Sequence, residues 1–374
     1  MTEREASAIS LVISKLENLT DCSLNMIVGL DGFVDEIIHV VDKRQNFNDY
    51  SRINFIKDFG NRIVNAAGLS TNIEYVVQQT KLGGNGPIFA NALLEYGANL
   101  TYIGALGLPG IHPVFKSLAD KAVDLYSLCD PGHTDAVEFK DGKLLMGKYS
   151  SLSLITWERF KDVVGGVGKI AKLVKACHLF GMENWTMIPR MSEIWEGLIE
   201  EVLPLLPDAD IKPIAFFDLA DPEKRTNTDI LNAMKLISRF ESKFRATLGL
   251  NEKELYEIAK VFDIREDSFE SIAKAVYNRM GIYCLVVHPV KEAACVINGE
   301  YYRVDGPYCA APKLTTGAGD NFNAGFCLAQ CLGLDPQSSL LLGVGTSGFY
   351  VRNAASPCLN GIRGFLKEWQ DGKI

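Results

Sequence analysis

A chain of 374 residues, 47% hydrophobic and 22% charged, can bury a large core, which excludes a disordered or fibrous protein and leaves room for one large α/β domain or two smaller ones. Its 38 Lys and Arg against 46 Asp and Glu give a formal charge of −8, which argues against nucleic acid or an anionic membrane as a partner. An anionic ligand would have to be met locally by backbone N–H groups and a metal.

In chain order, apolar residues recur at helical spacing from Glu5 to Leu19, and NMIVGL (Asn25 to Leu30) reads as a short buried strand. The strand runs into GLDGFVDE, a glycine-marked turn that leaves Asp31 and Asp35 at its edge. Residues 42–80 are mixed and poorly periodic, as expected of a peripheral insertion or lid. After LGGNG, PIFANALLEYGA has Pro87 at a helix start and Gly97 at its end, and NLTYIGALG follows as a strand. DAVEFKDGKLLMGKY (Asp135 to Tyr149) places an Asp-Gly turn between two β-prone runs, the signature of a hairpin. Buried-strand candidates at 178–182, 214–220, 245–250 and 283–289 then alternate with amphipathic helices, which implies a mostly parallel sheet covered on both faces. No linker or repeat divides the chain, so one domain over residues 1–374 is expected.

Nine cysteines from Cys22 to Cys358 show no CxxC pair and no histidine at zinc spacing, so they are expected to be reduced and mostly buried. His39, His112, His133, His178 and His288 never pair at metal spacing and are read as structural. The amino terminus mixes acidic and basic residues and no apolar run reaches bilayer length, so no membrane is expected and the expected location is the cytoplasm.

The stretch that carries chemistry is KLTTGAGDNFNAGF (Lys313 to Phe326), where a Gly-rich turn leads straight into an apolar-periodic helix. Free N–H groups of Gly317, Ala318 and Gly319 would converge on an anion, helped by the helix dipole. An aspartate at that spot repels phosphate, but it makes sense as the base that takes a proton from an attacking hydroxyl in phosphoryl transfer. The competing reading is a helix cap at Asp320 after an ordinary turn. GGVGKI (Gly165 to Ile170) lacks the first glycine and the hydroxyl residue of a P-loop and is read as a loop before a helix, and GGNG does not complete a dinucleotide fingerprint.

TTGAGDNFNAGF resembles the carboxy-terminal signature of the PfkB, or ribokinase-like, family of carbohydrate kinases, and four further segments fall in that family's order. The resemblance implies an α/β fold, a three-layer α/β/α sandwich with a mostly parallel central sheet and a small β lid from roughly residues 36–82 and 135–149. VGLDGFVDEI is similar to the loop carrying the sugar-binding aspartate, with Asp35 the better match and Asp31 the second. LGGNGPIFANALLEYGANLTYIGALG resembles the first family signature and would bring Gly83, Gly84 and Asn85 to the sugar. ATLGLNEKEL matches an Asn-x-x-Glu motif that would put Asn251 and Glu254 beside Mg²⁺ and its waters, although a helix cap and a surface charge are the alternatives. FFDLADPEKR resembles a strand ending in an Asp-Pro turn, and Glu183 stands where relatives often place a sugar-contacting glutamate.

The implied activity is transfer of the γ-phosphate of ATP to a sugar hydroxyl, with Asp320 as base. Thr315 and Thr316 would lie at the nucleotide, while Asn353 and Ser356 are read either beside the adenine or a monovalent-cation loop, or as helix-end caps. A homodimer through the lid is expected. Leu314, Ile88, Leu108 and Pro109 depart from the family pattern, which keeps open a sugar-binding or regulatory protein with impaired transfer; a nucleoside kinase, with Phe33 and Tyr149 contributing to a slot for the base, is a further alternative.

Overall fold

The computed structural model describes residues 3–19 and 23–374. Its fourteen strands are β1 (Asn25–Leu30), β2 (Phe33–Arg44), β3 (Tyr50–Arg52), β4 (Tyr75–Gly83), β5 (Asn99–Gly104), β6 (Asp124–Ser127), β7 (Gly132–Phe139), β8 (Gly142–Lys148), β9 (Leu179–Met182), β10 (Ile214–Asp218), β11 (Arg245–Leu250), β12 (Cys284–Val287), β13 (Glu292–Ile297) and β14 (Glu300–Asp305). Nine of them form one sheet in the order β14-β13-β12-β11-β10-β9-β1-β5-β6. From β6 to β12 every neighbouring pair is parallel, and β13 and β14 add an antiparallel edge.

Alternate residues of the central strands feed two separate cores. Ile27, Phe180, Phe217 and Leu285 join one, which is roofed by helices between residues 157 and 280. Met26, Val28, Phe216 and Val286 join the other, packed under the helices Glu3–Glu17, Asn85–Glu95, Ala318–Cys331, Pro336–Asn353 and Leu359–Gln370. Side chains buried on both faces are the reason these strands read as continuous apolar runs without polar alternation. The result is the three-layer sandwich expected.

A smaller sheet, β3-β2-β7-β8 with β4 also on β2, stands beside the large one. Its own core is Ile38, Val40, Ile53, Phe59, Val137 and Phe139. Phe59 comes from a helix, Ile56–Val64, inside the stretch read as unperiodic, and its amino end at Phe55 has no side-chain cap, so no start signal marked it. The β13–β14 hairpin was not assigned from the sequence either. Its turn is Asn298-Gly299, both left-handed (φ 53° and 79°), the pair that a two-residue hairpin turn favours.

Cys129, Cys177, Cys284, Cys295 and Cys327 are buried thiols as expected, while Cys22 lies outside the described residues. Among the described residues, no helix is long and apolar enough to cross a membrane.

Candidate functional site

β1 lies between β5 and β9, so chain order reverses there and a crevice opens beyond the carboxyl ends of the strands. Asp31 follows β1, Glu183 follows β9, Asp218 ends β10, Asn251 follows β11 and His288 follows β12. Two helices aim their amino ends into this crevice, Asn85–Glu95 and Ala318–Cys331.

The second helix begins on Gly317, whose φ of 91° suits glycine. A Cβ there would meet the Tyr350 hydroxyl at 2.8 Å and Ile88 at 3.1 Å. Ile88, the family departure, therefore packs under the Gly-rich turn. Gly317→Ala should cost at least about 1–2 kcal/mol of stability, read as a lowered Tm, and should raise the KM for nucleotide by displacing the turn.

One expectation about the turn is corrected: the Ala318 N–H is not free but donates to the Thr315 carbonyl at 3.1 Å, closing a tight turn. Among the described residues the N–H groups of Gly317, Gly319 and Asp320 find no protein acceptor, so the three unpaired amides of the turn include that of Asp320 and not that of Ala318.

The floor of the crevice is acidic. Asp31 and Glu183 are 0% exposed, Glu254 4%, and Asp218 and Asp320 7% each. Asp31 is tied to the first of these helices: it accepts the N–H groups of Asn85 (3.0 Å) and Gly86 (2.9 Å) and the Asn184 amide (2.7 Å). Even so, burial lifts its pKa to about 6. Gly84 caps that helix at φ 96°, and a Cβ on it would sit 2.9 Å from an Asp31 carboxylate oxygen.

Glu183, Asp218 and Asp320 bring one oxygen each within 4.8 Å of one another. Burial is the first cause pushing each of the three carboxyls well above the usual range. Mutual repulsion is the next: Asp218 and Asp320 act on Glu183, Glu254 and Asp320 act on Asp218, and Asp31 acts on Asp320. Relief comes from amides: Asn85 donates to Asp218 (3.3 Å) and its nearness opposes the rise at Asp320, and Asn323 donates to Asp218 at 3.4 Å. Both Glu183 oxygens are buried with no protein partner, the arrangement expected where a ligand hydroxyl or a cation completes the bonding.

Asp35 lies apart from this floor, on β2 of the small sheet, opposite Lys81 of β4 and Thr134 of β7. It presses on Gly83, where a Cβ would fall 2.3 Å from its carboxyl carbon. Burial raises its pKa, and the Lys81 charge is the first influence opposing that. The sequence candidates thus divide: Asp31, Asn85, Glu183 and Asp320 share the floor, while Asp35 meets Gly83 at the lid's root.

Asn251 and Glu254 form a reciprocal cap on the helix Glu252–Val261. Asn251 accepts the Glu254 N–H (3.0 Å), and Glu254 accepts the N–H groups of Asn251 (2.8 Å) and Asp221 (3.0 Å). This is the capping alternative, yet the Glu254 charge is close enough to act on both Asp218 and Asp320, so it stands beside the floor and not on the surface. Asn353 spends its amide on the Phe349 carbonyl (2.9 Å) in the last helical turn, and Ser356 receives a bond from Asn91 at 3.5 Å.

Next to the Gly-rich turn lies a cleft of about 280 Å³ lined by His288, Tyr308, Thr315, Gly319, Phe322 and Val344, among others. It is apolar on the Phe322 and Val344 side and opens on the free amides, a fit for a flat base joined to phosphates. His288 belongs to this wall, its ring 5.1 Å from that of Phe322, and burial lowers its pKa to about 4, so it is neutral at ordinary pH. His288 and Asp218 were missed as site residues. The usable signal was position: each stands at or just past the carboxyl end of an apolar strand in a parallel sheet.

Known proteins resemble this chain over nearly its whole length. The model of the prokaryotic ketohexokinase family matches residues 8–369. A ketohexokinase of Haloferax volcanii is 29% identical over 348 residues, covering 92% of this chain and 92% of that protein. Among solved structures, a fructokinase with bound ATP from Xylella fastidiosa superposes with a TM-score of 0.65 at 14% identity, covering 92% of this chain and 98% of that one. A ribokinase of Arabidopsis thaliana complexed with ribose and ATP gives 0.63 at 17%, covering 93% and 99%.

Proposed function

The chain belongs to the prokaryotic ketohexokinase family and is an ATP-dependent carbohydrate kinase on a ribokinase-like fold; from that premise we propose that it phosphorylates a ketohexose, with Asp320 taking the proton of the reacting hydroxyl. The observation that supports this most is the meeting of a buried carboxylate with unsatisfied amides on one helical turn at Gly317–Asp320. A base and an anion hole so close suit a hydroxyl that must lose a proton while a phosphoryl group arrives.

In this reading Glu183, lacking any protein donor, accepts a sugar hydroxyl, and Asn85 steers Asp320 toward the reacting one. Asp31 acts through Asn85, Gly86 and Asn184, holding the floor in register. Asp35 and the Gly83–Gly84 backbone meet the sugar from the lid side. The amides of Gly317, Gly319 and Asp320 receive the phosphoryl oxygens, Thr315 and Thr316 flank them, and the base lies against Phe322 and Val344. The residues present fit a divalent cation near the floor: Glu183 has orphaned oxygens, and the Glu254 carboxylate, though it holds two amides, keeps lone pairs for water. Magnesium accompanying ATP would neutralise phosphate charge there, reached through water by Asn251 and Glu254.

The test is ADP release with purified protein over ketohexoses, aldohexoses, pentoses, sugar acids and nucleosides. The expected result is the highest kcat/KM with a ketohexose such as fructose. A nucleoside or aldopentose preference would overturn the acceptor assignment and leave the kinase itself standing. Glu254→Gln is expected to raise the Mg²⁺ concentration for half-maximal rate and, by spoiling one capping contact, to cost roughly 1–2 kcal/mol of stability. A change in stability with no change in the Mg²⁺ requirement would return Glu254 to a purely capping role. A dimer through the lid fits the exposed Val77 and Leu145 on the small sheet, and light scattering at twice the monomer mass is the expected readout.

A further inference from the structure

The floor just described is anionic, and so is the group that must cross it. Within the crevice the amides offer only partial charge; besides magnesium and Lys291 of the neighbouring cleft, a full positive charge can come from the lid, the side facing the floor. The register of the small sheet shows what the lid presents. Lys81, Asp35 and Thr134 lie opposite one another across three strands, and Ala136 faces Leu145 and Glu138 faces Lys143 further along the same two strands. Directly paired residues and every second residue share a face of a sheet, so Lys143 projects on the same face as Asp35 and Lys81.

That face looks at the Gly-rich turn. The Lys143 ammonium donates to the Thr316 hydroxyl, 173 residues away in sequence, and Thr316 immediately precedes Gly317. The same ammonium is near enough to lower the pKa of Asp35 and, as a like charge, that of Lys81. Lys81 is half-buried opposite Asp35 within the sheet, whereas Lys143 sits beside the Asp141-Gly142 hairpin turn, exposed and on a long stem.

We propose that Lys143 is a catalytic residue carried by the lid, its ammonium passing from the Thr316 hydroxyl to the oxygens of the phosphoryl group in transit. The inference rests on the kinase reading but not on which sugar is the acceptor. In the step itself the sugar oxygen forms its bond to the γ-phosphorus as the bond from that phosphorus to the β–γ bridging oxygen breaks. ADP leaves with the electron pair, and the hydroxyl proton goes to Asp320. Lys143 stays protonated throughout and answers the charge that the phosphoryl oxygens hold between floor and lid. A lysine suits this task because three donors on a flexible stem can follow a moving group.

The experiment compares wild type, Lys143→Ala, Lys143→Arg and Lys140→Ala, the last removing an exposed charge from the same hairpin. Lys143→Ala is expected to lower kcat by about 10²-fold or more, as loss of one oxyanion donor does, with KM for sugar and ATP within about threefold by the same principle of transition-state contact. Binding of ADP with aluminium fluoride and sugar should weaken in parallel, while binding of ADP alone should not. Lys143→Arg should recover most of the rate, and Lys140→Ala should match wild type.

A lysine that merely latches the lid to Thr316 would raise both KM values and leave kcat in place, and that result overturns the proposal. So does a kcat within threefold of wild type. Should Lys143→Ala fail to fold, acetylation of wild-type Lys143 read by mass spectrometry decides instead. Protection by ADP, aluminium fluoride and sugar together, and not by sugar alone, is expected, and equal labelling in both cases overturns it. Wild-type turnover in the same assay keeps this outcome separate from any failure of the kinase reading.

Discussion

Asp320→Asn is expected to cut kcat by about 10²–10⁴-fold, the usual contribution of a general base, with little change in the affinity for sugar or nucleotide. The substitution keeps shape and removes only charge from the first helical turn, so the helix start and the amides around it should survive. Only the ability to take a proton is lost. Burial and the neighbouring Asp31 charge hold the Asp320 carboxyl well above the usual carboxylate range, and a base works deprotonated. The wild-type rate should therefore rise with pH along a limb displaced upward from that of an ordinary aspartate, and the residual rate of Asp320→Asn should lack that limb. A variant with near-normal turnover, or one whose pH profile keeps the limb, would remove Asp320 from the mechanism.

Glu183→Gln is expected to separate stability from activity. The carboxyls of Asp31, Glu183, Asp218 and Asp320 are all raised, chiefly by burial. The folded protein then binds more protons than the unfolded chain above the ordinary carboxylate range. Their contribution to stability is fully present below that range and is lost as pH rises through the raised values. Removing one of the four charges should raise the Tm of the ligand-free protein at pH 8 by about 2 °C or more, corresponding to roughly 1 kcal/mol in a chain this long, and should flatten the dependence of Tm on pH. Turnover should fall by about 10²-fold if the side chain accepts a sugar hydroxyl as proposed. Wild-type melting that does not change between pH 5 and pH 8 would remove the electrostatic argument. A stability gain bought by loss of activity is the usual mark of a binding site held under strain.

How much of this was legible beforehand follows from where each signal resides. The central strands announced themselves because burial on both faces leaves unbroken apolar runs, and IAFFD and RATLGL begin where β10 and β11 begin. The Gly317 turn was legible because glycine spacing before a periodic helix is local information. What the sequence could not show is convergence. Asp218 and Glu183 are 35 positions apart, the first read inside a strand and the second just after one, and only the parallel register of β9 against β10 sets their carboxylates together. Asn251 as a helix cap was weighed and is present, but Glu254 is its reciprocal partner and not a surface charge, and the nearness of Glu254 to the floor depends on the Asp221 turn it also holds. Ala318 was misjudged because its amide is consumed by a carbonyl only three residues back, a detail of turn geometry below the reach of pattern. His288, read as structural for want of a partner at metal spacing, is buried and neutral and lines the cleft beside the Gly-rich turn.

The lid has one feature with a kinetic corollary. β2 begins two residues after Asp31, β4 ends at Gly83, one residue short of the Gly84 cap, and β7 starts at Gly132, whose amide donates to the Gly32 carbonyl at 2.8 Å. Its roots are thus the residues proposed to meet the acceptor. If they do, an occupied crevice should stiffen those roots and an empty one free them, tying the residence time of the bound sugar to the opening of the small sheet. Substitutions far out on that sheet should then change how long product stays, even where they touch nothing in the crevice.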